Sequence, residues 1–455
     1  MAEIGGGTNN LNCLRSARFA GSVVAHLGEL MDKTIAPPRT VGFWGSSLFQ
    51  INGMIGSGIF ALPAVLVASV GSFAPWMMLL GGIMFLPLAL TFAWLARRFD
   101  GSGGPVLYGK AAFGSFAGFQ AGWGRYASGI IALAANTHVM VAYFAALFPA
   151  LETPLVTTVT VVLTILIFTA INLLSMRSSV NALGGLTALK LLPLALIIGA
   201  AIFGGFTSPA IVLPQFSQIE SVVLLLFYAF IGFEGVTVPA GEGRDPKRDI
   251  PRVLVTVLAG VTLLYALVIW AYLTIGPEEG ANENALAGAA ELALGQWGAL
   301  VIVVGAGFSI AANNFASLII VPRIAYGMAE QGMLPGWFRQ VSPRFLTPAN
   351  SIVFYGVAAA LFSVWAGFAA LAAASTLTRL LTYAITAAAV PMIEHREGRI
   401  NPLHAVVALL AFVASAWIAS HADQQAWSMF GVLLVTGTGL YFIASRGSKD
   451  AAQAA

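Results

Sequence analysis

The sequence predicts an all-α membrane protein of about 12 transmembrane helices. Ten of them form a five-plus-five inverted repeat in which helices 1 and 6 are broken, and two extra helices follow. Three observations carry this reading. First, 58% of the 455 residues are hydrophobic and 9% charged, with a mean hydropathy of +0.86, so the chain lacks the polar groups to cover a surface in water. Second, apolar stretches of about 20 residues recur along almost the whole length, each long enough to cross roughly 30 Å of hydrocarbon as a helix. Third, a short pattern rich in Gly and Pro in the first stretch returns in the sixth.

Residues 1–40 read as a cytoplasmic tail. The weakly apolar run from Leu11 to Leu30 is interrupted by Arg15, Arg18 and His26, so it has no continuous apolar core, and no small-residue cleavage site follows. Met31, before Asp32 and Lys33, is a second natural start, which leaves residues 1–30 as either a tail or an extension of the reading frame. Five spans over 41–66, 72–96, 116–148, 154–174 and 179–205 make a first repeat within 41–206. Spans over 220–240, 252–275, 297–328, 350–369 and 371–393 make a second, inverted repeat within 220–395. Spans 11 and 12, at 402–420 and 425–445, occupy 400–445, outside the repeat, and form either a homodimer surface or a lipid-facing buttress; residues 446–455 are a cytoplasmic tail. None of these stretches alternates as barrel strands do, and Gly, Ala and Pro inside them suit helices packed closely in lipid.

Charge sets the orientation. With the amino terminus inside, nineteen of the 22 Lys and Arg residues fall in or beside cytoplasmic segments. The external loops carry none, and hold Glu152, Glu220, Glu278, Glu279, Glu283, Glu291 and Asp423 instead. The positive-inside rule therefore places both termini in the cytoplasm of a bacterial inner membrane, and the pI near 9.0 requires no nucleic acid. Only Arg125, Lys190 and Arg379 remain as basic residues within spans.

The repeated pattern reads Gly56-Ser57-Gly58-Ile59-Phe60-Ala61-Leu62-Pro63 in span 1 and Gly232-Phe233-Glu234-Gly235-Val236-Thr237-Val238-Pro239 in span 6. Glycine weakens a helix and proline removes a backbone donor, so both spans are expected to break near the bilayer midplane. Exposed backbone is tolerated there only where it lines a cavity, and paired breaks five spans apart point to a transporter's binding site; ordinary kinks are the plainer alternative. A weaker echo links Thr187 and Lys190 in span 5 to Thr376 and Arg379 in span 10.

These residues resemble the amino acid, polyamine and organocation (APC) transporters, which have a LeuT-type fold. The resemblance covers roughly residues 41–445 and rests on four pieces. They are Gly56 to Phe60 with Pro63, Gly103-Gly104 with Phe113-Gly114, Phe230 to Glu234 with Asp245 to Arg248, and Arg323 through Gly332-Met333-Leu334-Pro335. Val106 departs from the family, which often has Tyr there, whereas Tyr108 fits. The resemblance implies a substrate carboxylate at the amides of Gly56, Ser57 and Gly58, where a half-helix N-terminus attracts anions. It implies an amino group held by carbonyls around Met54 and at Tyr228, Phe230 and Ile231. Tyr228 is similar in position to an aromatic gate, with core packing as the alternative. Glu234, the acid deepest in a span, is either a proton-coupling group or a protonated acid bonded to a neighbouring helix. Lys190 lies too deep to snorkel and resembles a lysine that replaces a sodium ion beside broken helix 1, or else only braces the bundle.

Asn136, His138, Asn313, Asn314, Ser375 and Arg379 are weaker cavity candidates, and Arg125 is expected in an inner vestibule or at the headgroups. Gly104 to Ala111 imitates a phosphate-binding loop, but Ala111 lacks the hydroxyl and no strand precedes it. With one Cys, no His-Glu-x-x-His motif and no carboxylate dyad, neither an enzyme nor a metal or other cofactor is implied. A channel would show a repeated pore loop or rings of like charge. The expectation is a sodium-independent secondary transporter for amino acids, neutral ones first and cationic amino acids or amines as the alternative. Proton symport and exchange both stay open.

Overall fold

The computed structural model describes residues 41–453 apart from 100, 102, 175–179, 277–283 and 346. The tail expected over 1–40, with Arg177 and the external Glu278, Glu279 and Glu283, lies outside the described residues. The regular structure among those described is helical, and the one β-bridge there joins Val41 to Gly243.

Span 1 is two half-helices, α1 (Phe43–Met54) and α2 (Gly58–Val70). Ile55 leaves helical geometry at ψ 88°, and the N–H of Gly56 turns back onto Met54 O at 2.9 Å. Three glycines and a serine within six residues make this the weakest helical stretch of the span. Pro63 does not break it; α2 runs through that residue. The break falls at the glycines because they carry the backbone freedom, whereas Pro63, in the second turn of α2, removes one backbone donor without ending the helix. Span 6 is α8 (Phe216–Tyr228), which stops before Gly232 and continues only as 3-10 turns over Phe233–Thr237 and Ala240–Glu242.

The other spans are α3 (Ala74–Ala96), α5 (Ser115–Ala145), α6 (Pro154–Leu174), α7 (Val180–Phe203), α9 (Pro246–Ile275), α11 (Gln296–Glu330), α12 (Ala349–Trp365), α13 (Phe368–Arg396), α14 (Pro402–Ser420) and α15 (Gln424–Gln453). Among the described residues, nine helices are long and apolar enough to cross a membrane, one of them the combined Gly58–Ala96 segment. Spans 5 and 9 appear as shorter apolar helices, Thr187–Phe203 and Ala349–Trp365, and α1 precedes the Gly58–Ala96 segment. Two connections read as loops carry helices: α4 (Pro105–Phe113), which overlaps the phosphate-loop imitation, and α10 (Ala285–Leu294), whose Ala and Leu residues have high helix propensity. α15 continues past 445 to Gln453.

Burial separates centre from rim. Of the most apolar window in span 3, 78% is buried, against 17% in spans 4 and 12 and 22% in span 11. Span 3 therefore sits inside the bundle, packed on spans 8 and 10, and the rim helices show Leu155, Leu163, Leu409 and Val435 outward as a lipid face.

Candidate functional site

The two breaks touch. Gly232 has φ +102°, a left-handed conformation that a side chain disfavours, and a Cβ there would lie 2.3 Å from Gly53 O. On the other side of the break, a Cβ on Gly58 would stand 3.0 Å from Ala229 Cα. A bulky residue at Gly58 thus pushes spans 1 and 6 apart, and would not test an anion site alone. Among the described residues, no acceptor meets the N–H groups of Ser57 or Gly58, which open the N-terminal turn of α2.

A side-chain network fastens the breaks to spans 3 and 8. Ser57 Oγ donates to Asn136 Oδ1 at 2.5 Å, and Tyr228 Oη donates to the same atom at 2.9 Å. Asn136 Nδ2 donates to Asn313 Oδ1 at 3.0 Å and Asn314 Oδ1 at 3.1 Å. Asn313 Nδ2 then donates to Asn52 O at 2.7 Å, in the last turn of α1, and Asn314 Nδ2 to Thr137 Oγ1 at 3.1 Å. Each buried amide finds partners, as low-dielectric surroundings require.

Beside this network lies a cavity of about 510 Å³. On span 1 its lining residues, Phe49, Asn52, Gly53, Met54, Gly56 and Ser57, stop at the break; on span 6 they begin at Tyr228 and continue with Ile231, Gly232 and Gly235. The cavity thus occupies the side on which span 1 starts and span 6 ends. Arg125, Gly129, Ala132 and Asn136 contribute one face of span 3, at helical spacings of four, three and four.

Lys190, 1% exposed, reaches from α7 to the frayed end of α1, where Nζ donates to Asn52 O at 3.1 Å and Ile55 O at 2.8 Å. A cation beside the terminal carbonyls of a half-helix is favourably placed. Glu234 is fully buried. Its Oε1 pairs with Arg379 Nη1 and lies 2.8 Å from Arg125 Nε, although that N–H is not aligned for a hydrogen bond, and Tyr383 Oη donates to Oε2 at 2.9 Å. Arg379 Nε also donates to Ser128 Oγ at 2.7 Å.

Of the residues singled out in the sequence, Met54, Gly56, Ser57, Tyr228 and Ile231 line one cavity. Gly58, Phe230, Lys190 and Glu234 are off its wall. Phe230 is fully buried, with its ring against Phe85 and Tyr265. Met54 O lines up poorly with the expected role, since Tyr265 Oη at 3.1 Å and the Gly56 N–H already donate to it. Tyr228 meets Phe368 edge-on at 5.8 Å. Arg125 and Arg379 are the pair that sequence reasoning undervalued: both line the cavity, and both pair with Glu234. Electroneutrality was the available signal, because the one deep acid needed partners and the spans held few cations to choose from.

The model of the amino acid permease family matches residues 41–444 of this chain. An uncharacterised transporter of Mycobacterium tuberculosis is 30% identical over 387 residues, covering 83% of this chain and 86% of the relative. A methylthioribose transporter of Bacillus subtilis is 24% identical over 433 residues, 90% of this chain and 94% of the relative. A cadaverine/lysine antiporter of Escherichia coli is 27% identical over 312 residues, 67% of this chain and 70% of the relative.

Proposed function

The chain belongs to the amino acid permease family, and from that premise we propose that it is a secondary active transporter of α-amino acids in a bacterial inner membrane, working by alternating access without sodium. The observation that carries this reading is the contact between two helix breaks beside a 510 Å³ cavity, a size suited to a small organic molecule. In this reading the substrate carboxylate lies at the N–H groups of Ser57 and Gly58, where the N-terminus of α2 offers donors and a favourable dipole. The ammonium group lies toward Ile231, whose carbonyl has no donor among the described residues. Tyr228, held by Asn136, is the gate.

With both termini cytoplasmic, the cavity faces the cytoplasm, which is the inward-facing half of the transport cycle. Lys190 occupies the carbonyl cage at the end of α1 in place of a coupling cation, which supports sodium independence, with proton symport or exchange as the energy source. Glu234 is bound by two arginines, so we assign it to holding them in position rather than to carrying protons. Among the described residues no acid lines the cavity, whereas two arginines do. That charge weighs against cationic amino acids and amines, the second reading, which the antiporter relative favours.

Uptake of radiolabelled amino acids into proteoliposomes, with and without a pH gradient and sodium, tests the proposal. Saturable, trans-stimulated, sodium-indifferent flux is the expected result. Flux linear in concentration, or dependent on sodium, overturns it.

A further inference from the structure

The amides and carbonyls at the breaks serve the backbone groups common to every α-amino acid and leave the side chain unread. Among the residues that line the cavity beyond the breaks, Arg125 carries a full charge. It shares a face of span 3 with Asn136, eleven residues or roughly 16 Å of helix axis away. Its guanidinium is drawn back toward the breaks by Glu234, which lies two residues beyond Gly232. The pairing with Glu234 uses Nε, and among the described residues no protein acceptor meets either terminal nitrogen of Arg125. The side chain is only 10% exposed, so those donors are held in the cavity wall rather than in bulk solvent.

The charge count points the same way. Arg125 and Arg379 are the two lining residues that carry full charge, and one carboxylate, Glu234, lies behind them. Two guanidinium groups against one carboxylate leave a net charge of +1 at the wall. A buried charge without a partner is costly, and a forked guanidinium is matched geometrically by a carboxylate.

We propose that Arg125 is a specificity-determining residue that receives a side-chain carboxylate, so that the cavity selects acidic α-amino acids over their amides and over cationic amino acids. This rests on the amino acid reading above and sharpens it. Arg379, fixed by Ser128 and Glu234, supports the same field without offering as open a fork.

The test compares uptake of labelled glutamate and glutamine, with lysine as competitor, by the full-length protein in proteoliposomes. Glutamate and glutamine share every backbone contact and differ only in the charge at the side-chain end. The wild-type protein is expected to favour glutamate by about tenfold or more, with lysine the weakest competitor. Arg125→Gln leaves Arg379 and Glu234 as a one-to-one pair and should lower the glutamate-to-glutamine affinity ratio at least about tenfold. Arg125→Lys keeps the charge but loses the fork, and should reduce the ratio by less; it carries the comparison where the glutamine variant does not fold. Wild-type uptake that favours glutamine or lysine, or an unchanged ratio in an active Arg125 variant, overturns the proposal while leaving amino acid transport intact. Failure of the wild-type protein to transport glutamate while it carries other α-amino acids overturns this inference alone; failure to transport any α-amino acid in a full panel overturns the amino acid reading and this inference with it.

Discussion

Replacing Glu234 by Gln should damage folding before it alters transport. The substitution keeps the shape and removes one negative charge from a site in which Arg379 is 2% and Arg125 10% exposed at the side chain. Two guanidinium groups then face each other with a neutral amide between them. Removing one partner from a buried ion pair typically costs about 3–5 kcal/mol, because the remaining charge is stranded rather than because the contact itself is worth that much. The loss should appear as a marked fall in melting temperature for detergent-solubilised protein, read from monodispersity after heating. Adding Arg379→Gln removes one of the stranded charges, so the double variant should be more stable than Glu234→Gln alone, a non-additivity of roughly 1 kcal/mol or more for groups in direct contact. A Glu234→Gln protein as stable as wild type, with a flattened pH profile of uptake, would refute this reasoning and restore Glu234 as the proton carrier.

Lys190→Met removes both donors to Asn52 O and Ile55 O at the end of α1, and should lower uptake at least about tenfold, since carbonyls stripped of a charged donor cost about 1–3 kcal/mol each. Uptake measured in sodium and in choline should fall equally; wild-type activity in the variant would show that the lysine does not hold the break. At the end of span 11, His421 is held by Trp417 O at 2.8 Å and Glu220 Oε1 at 3.0 Å. The Trp417 carbonyl first and Glu220 second raise its pKa above the usual 6.5. A raised folded-state value means that the stabilisation is complete below about pH 6.5 and fades as pH rises through the folded pKa. The melting-temperature advantage of wild type over His421→Gln should therefore shrink from pH 5.5 to alkaline pH, and an advantage that grows with pH would contradict the assignment.

What could be read from the sequence was local. The breaks announced themselves because Gly56, Ser57 and Gly58 stand together, as do Gly232 and Gly235, and backbone freedom is a property of neighbouring residues. Lys190 could be placed against protein from its depth alone, since its side chain cannot reach the headgroups. The pairing of Glu234 was hidden because Arg379 lies 145 residues away and nothing local marks the contact. Arg125, near one end of span 3, could be read as facing either an inner vestibule or the headgroups, and only the fold turns its side chain onto the cavity wall. The amide network was equally unreadable: Asn136 and Asn313 are 177 residues apart, and asparagines in lipid-embedded helices knit structure as readily as they bind cargo. Phe230 was named for its carbonyl, as the resemblance implies; the Phe233 N–H donates to that carbonyl at 3.4 Å, and the turn at the break sends the ring into the aromatic core.

The central claim is that the cavity beside the touching breaks is where the cargo sits. Ala132 lines that cavity between Arg125 and Asn136, and the chain's one native cysteine, Cys13, can be replaced by Ser. In a Cys13→Ser background, Ala132→Cys should react with a membrane-impermeant methanethiosulfonate reagent applied from the cytoplasmic side, lose uptake as it reacts, and be protected by a saturating transported amino acid. Modification that leaves uptake intact, or that proceeds at the same rate with substrate present, would contradict the account.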